Sequence, residues 1–129
     1  MAEAALGFLL RLLRERRGLS LRELARLADV DHAYIHRLET GDKESPSPEV
    51  LARLTKALKP DKREVDILHY LSSHGDTARE LVELTIDDPT VSAEIFTAVA
   101  GMAHRGKRSN YTERIQLVRR ILEEEGGDG

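Results

Sequence analysis

Residues 20–41 read SLRELARLADVDHAYIHRLETG. Apolar or small side chains recur there at Leu24, Ala25, Ala28, Val30, Ile35 and Leu38. Leu24, Ala25 and Ala28 share one face at helical spacing, and Ile35 and Leu38 share another. The period breaks across Ala28-Asp29-Val30-Asp31, which is the length of a tight turn. The second segment carries His32, His36 and Arg37 on its outer side. Two short helices joined in this way place the second in a DNA major groove. The stretch therefore predicts a helix-turn-helix and implies double-stranded DNA as the partner.

Capping signals extend that reading in both directions. Leu6, Leu9, Leu10 and Leu13 give residues 5–17 a helical stripe, stopped by Gly18. Ser20 and Glu23 have the spacing of a capping box, and Asp31 can cap the helix that ends at Gly41. Ser47-Pro48-Glu49 supplies an N-cap, a first-turn proline and an acid for a fourth helix. Lys59-Pro60-Asp61 stops that helix and caps a fifth. His74-Gly75-Asp76 separates the fifth from a helix over 77–86, and Asp87-Asp88-Pro89 is read as the start of the next. Arg105–Ser109 reads as a basic loop, residues 111–125 as a last helix, and 126–129 as a frayed tail. No useful strand-like alternation and no repeat occurs, so the expected fold is all-α. The expected boundary lies near Lys59–Lys62: a DNA-binding domain over 1–60, with a fifth helix that can run to 74, then a helical dimerisation or regulatory region over 61–125.

Composition narrows the class. The 129 residues suffice for one ordinary domain or two very small ones. No apolar run is long enough to span a membrane. The apolar patch at Leu6–Leu13 follows Glu3 and is interrupted by Arg11, unlike a secretory signal. With no cysteine, disulfides and thiolate metal sites are excluded, which is compatible with the cytoplasm expected of a nucleoid-associated protein. The few aromatics leave Leu, Ile, Val and Ala to build the core. The net charge of −3 is unevenly divided. Residues 1–60 hold eleven Lys/Arg against nine Asp/Glu, net +2, whereas 61–129 hold nine against fourteen, net −5. A DNA-facing front and an acidic, protein-facing rear fit that split.

Arg11–Arg17, Gly18-Leu19-Ser20-Leu21, Glu23-Leu24-Ala25 and Ile35-His36-Arg37-Leu38-Glu39-Thr40-Gly41 together resemble the Cro/cI-type (xenobiotic-response-element) regulators over residues 5 to about 60. The resemblance implies a five-helix lambda-repressor-like domain whose recognition helix is 31–40. It implies base-edge contacts by His32, Ala33 and Arg37, with Arg37 suited to gripping guanine through two hydrogen bonds. Arg22, Tyr34, His36 and Lys43 fall where such domains meet phosphates, and Arg14 and Glu39 where they form a structural ion pair. Three positions depart from the family pattern: Leu21 replaces a phosphate-anchoring Gln, Asp29 a turn Gly, and Asp31 a common Ser or Thr. Leu21 and Asp31 imply a weaker hold on the DNA backbone. Asp88–Val91, Arg105–Arg108 and Arg120-Ile121-Leu122 resemble the C-terminal domain of DdrO-type damage-response repressors, which implies a dimer controlled by a regulatory protein partner.

Other chemistries fare worse. His32 and His36 have chelating spacing, but HAYIH lacks the Glu of HExxH and no third ligand is near in sequence, so no metal or other cofactor is expected. No nucleophile triad, phosphate loop or catalytic carboxylate pair can be assembled, and an enzyme is not expected. Two readings stand: a dimeric repressor on an inverted repeat, or a protein-interaction module that keeps the helix-turn-helix frame with little DNA affinity.

Overall fold

The computed structural model describes residues 4–42, 45–102 and 110–126. Among them the regular structure is entirely helical: α1 (Ala5–Arg16), α2 (Leu21–Ala28), α3 (His32–Thr40), α4 (Pro48–Leu58), α5 (Lys62–Ser73), α6 (Arg79–Asp87), α7 (Ala93–Ala100) and α8 (Tyr111–Gly126). No helix among the described residues is long and apolar enough to cross a membrane. Lys43, the 105–109 segment and 127–129 lie outside the described residues.

The chain divides into two compact units after Arg79. In the first, α1 packs on α3 and α5, while α2 packs on α3 and α4. Leu9, Leu10 and Leu13 of α1 share the core of this unit with Leu24, Ile35, Leu38, Leu54, Leu58, Ile67 and Leu68, all essentially without solvent exposure. Burying one such leucine is worth about 1.5–3 kcal/mol. This unit includes α5 and so runs past the Lys59–Lys62 linker.

Its helix ends follow the local sequence. Ser20 Oγ accepts from the Glu23 N–H at 3.0 Å, and Glu23 Oε1 accepts from the Ser20 N–H at 2.8 Å. Asp61 and Glu64 repeat this box at the start of α5, at 2.8 and 2.9 Å. Ser47 caps α4 through the Val50 N–H, with Pro48 in the first turn. Asp29 ends α2 in the left-handed region, φ 55° and ψ 51°, a conformation Asp tolerates better than most residues. Lys59 ends α4 the same way at φ 52°.

The second unit packs α7 on α8. Its core is Leu81, Val82, Val91, Phe96, Val99, Ile115 and Val118. Two expected helix starts move. The Thr77 N–H and hydroxyl both return to the His74 carbonyl, so that segment is a turn and α6 begins at Arg79. Asp88 Oδ1 accepts from the Thr90 N–H at 2.9 Å and its hydroxyl at 2.6 Å, making a side-chain-closed turn in place of a helix cap. Ser92 caps α7 instead, through the Ile95 N–H at 3.1 Å. Asn110 caps α8 through the Glu113 N–H at 3.0 Å.

Candidate nucleic-acid interface

Helix α3 is built with two different sides. Ile35, Leu38 and Glu39 are buried, whereas Ala33, His36 and Arg37 are exposed and His32 is partly so. His32, Ala33, His36 and Arg37 thus lie together along one outward side. Tyr34 stands apart from them, half-buried and one turn before Leu38. Arg22 is exposed in the first turn of α2.

The buried side fixes where the outward side points. Arg14 Nε donates to Glu39 Oε2 at 2.7 Å and Arg14 Nη2 to Glu39 Oε1 at 2.9 Å, a fork-to-fork pair. Arg14 Nη1 also donates to the Leu19 carbonyl at 2.9 Å, so one guanidinium ties α1, the α1–α2 turn and the end of α3. The Glu39 carboxylate is only 4% exposed, and its hydrogen bonds hold the Arg14 guanidinium above its ordinary pKa. At that depth removing either partner strands a charge.

Two helix turns earlier on α1, Gly7 performs a steric task that the sequence reading missed. A Cβ there would collide with the Leu38 carbonyl oxygen and fall 2.9 Å from the Glu39 carbonyl oxygen. Only glycine lets the α1 backbone come this close to the end of α3. The signal was a lone glycine inside an otherwise unbroken leucine-rich helix. A second missed contact is the bidentate pair between Arg16 and Glu64, at 2.7 and 2.8 Å, which joins α1 to α5. Arg16's hydrogen bonds, helped by the Asp61 N–H, hold the buried Glu64 carboxyl below its ordinary pKa. Arg53 of α4 braces the turn between α2 and α3 by donating to the Asp29 carbonyl at 3.3 Å and to Glu49 at 2.7 Å.

The helix N-termini of the motif are filled from within. Asp31 Oδ1 accepts from the Ala33 N–H at 3.1 Å and lies 3.7 Å from His32 Nδ1. Glu23 occupies the start of α2, and the Ser20 backbone N–H and hydroxyl hold its carboxyl below the ordinary value. An acid at a helix start satisfies the dipole that could otherwise bind a phosphate.

Residues 5–68 match a protein family described as a helix-turn-helix domain. No curated protein matches the chain. The matched span covers the helix-turn-helix pair, its braces in α1 and α4, and the start of α5, so the first unit carries a helix-turn-helix domain within an all-α chain. Such a domain points to a DNA-binding regulator and to DNA as its partner.

Proposed function

We propose that this chain is a sequence-specific transcriptional repressor that binds an inverted-repeat operator as a homodimer. The observation that carries the reading is α3 itself: an outward row of His32, Ala33, His36 and Arg37 on a helix anchored at its end by Arg14, Glu39 and Gly7. Arg37 would hold guanine O6 and N7, His32 an acceptor edge, and Ala33 a thymine methyl. Arg22, His36, Tyr34 and Lys43 would set the register on phosphates. With acids at the starts of α2 and α3, few phosphates are neutralised, so affinity should fall less steeply with salt than for a strongly basic domain. Twofold symmetry of the operator requires a second copy, which the reading assigns to the C-terminal helices; regulation by a protein partner at the same region would act by changing that pairing.

Fluorescence anisotropy with the DNA upstream of the chain's own gene tests this. Selective, salt-sensitive binding that Arg37→Ala weakens supports the repressor reading. Binding that is absent at low salt, or indifferent to Arg37, overturns it in favour of a protein-interaction module.

A further inference from the structure

We infer that the cleft between α2 and the C-terminal end of α4 docks an acidic peptide segment of a partner protein, which covers Leu27 with an apolar side chain of its own. The cleft has a volume of about 410 Å3, and Leu27, Ala28 and Ala57 give it an apolar wall. Leu27 is 57% exposed, more than any other large apolar side chain among the described residues. Arg17, Lys56 and Lys59 line the same cleft and are exposed. Arg17 Nη1 donates to the neutral Ala57 carbonyl, which leaves its charge uncompensated. Lys56 and Lys59 have no ion pair among the described residues. Arg53 is already occupied, by Glu49 and the Asp29 carbonyl. Four of the eleven Lys/Arg of residues 1–60 thus meet at one cleft, against one of the nine Asp/Glu, Asp29.

Lys59 supplies a second observation. It holds the left-handed position that ends α4, φ 52° and ψ 52°, which glycine occupies without strain. What lysine brings there and glycine does not is an ammonium at the edge of the cleft. The cations set the sign of the occupant and Leu27 sets its kind. A phosphate backbone offers anions but no aliphatic side chain to cover a leucine. A peptide whose carboxylates flank an apolar residue answers both, as protein interfaces with an apolar centre and a charged rim do. None of the outward residues of α3 lines the cleft, so the inference does not rest on what the chain does with DNA.

NMR titration of the isotope-labelled full chain tests it, with a synthetic peptide of glutamates flanking two leucines as the probe. The peptide should shift the amide signals of Leu27, Ala28, Ala57 and Lys59 saturably. Exchanging its glutamates for glutamines, or its leucines for serines, should weaken binding about fivefold or more. Lys59→Gly should weaken it by up to about fivefold, the size of one exposed ion pair, without lowering the melting temperature, since glycine relieves the backbone there. Leu27→Ser, at an exposed position, should weaken it about fivefold. The inference is overturned if the peptide leaves these signals unmoved, if either altered peptide binds as well, or if both protein variants bind it like the parent. It is overturned in favour of a phosphate contact if duplex DNA moves the same signals and Lys59→Gly lowers the affinity for DNA but not for the peptide.

Discussion

Helices α3 and α8 are each buried along one side and open along the other, yet their open sides differ in kind. The open side of α3 presents imidazoles, a methyl and a guanidinium. The open side of α8 presents Leu117 and Ile121 to solvent. A polar row of donors suits the edges of base pairs, whereas a partly apolar row suits burial against another protein surface. Their inner sides differ too. That of α3 is fixed by a buried ion pair and a backbone-to-backbone approach, and that of α8 by aliphatic packing, with Arg119 adding a 3.1 Å bond to the Thr90 hydroxyl. The position of α3 is thus over-determined, whereas that of α8 is left to ordinary packing.

The sharpest way to break the contrast is at Arg14. Arg14→Ala leaves Glu39 buried and unpaired and should cost roughly 3 kcal/mol of stability, measured by urea denaturation. Arg14→Ala with Glu39→Leu should recover part of the loss, because no charge is then stranded. Gly7→Ala should cost about 1–3 kcal/mol, as overpacking against main-chain oxygens cannot be relieved by a rotamer change. It should also reduce DNA affinity among the molecules that remain folded, because it moves α3. Arg37→Ala should leave thermal stability within about 0.5 kcal/mol of the parent. Its DNA affinity should nevertheless fall by about 1–3 kcal/mol, with preference relaxed at one base pair. Arg22→Ala should weaken all sequences alike and lower the salt slope by about one ion.

The smallest effect concerns pH. The Glu64 carboxyl is held below its ordinary value of 4.5 by Arg16, so its stabilising contribution is complete above that value. As the pH falls below it, the folded state must take up a proton that the unfolded chain takes up more readily, and the contribution is lost. Thermal melts through the acid range should show Glu64→Gln less stable than the parent at neutral pH and less sensitive to acid.

What the sequence made legible follows the range of each interaction. The capping box at Ser20 and Glu23, the left-handed turn at Asp29 and the leucine stripe of α1 are encoded within a few residues, and each could be placed before any coordinates. The start of α7 was misplaced because Asp88-Pro89 carries the composition of a helix start, while the Asp88 side chain closes a turn on Thr90 and leaves capping to Ser92. Arg16 and Glu64 are 48 positions apart, and nothing local distinguishes Arg16 from the exposed arginines beside it. Gly7 was visible as an oddity, but its reason lies in the carbonyls of Leu38 and Glu39, which only the assembled α1–α3 pair brings beneath it. The candidate reading residues were legible through resemblance; what they read depends on a DNA sequence that the chain does not contain.

The close approach at Gly7 has a consequence for how this domain can change over time. Where two helices are spaced by side chains, a larger or smaller neighbour reshims the gap and the angle between them drifts. Here main chain rests on main chain, and substitution in the surrounding leucine core has no spacer to alter at that point. The spacing of α1 and α3 at that point then works as a mechanical datum: mutations elsewhere in the core should cost stability without opening or closing it. Residues 32, 33, 36 and 37 are free to be exchanged for others, each new set being presented from the same pose.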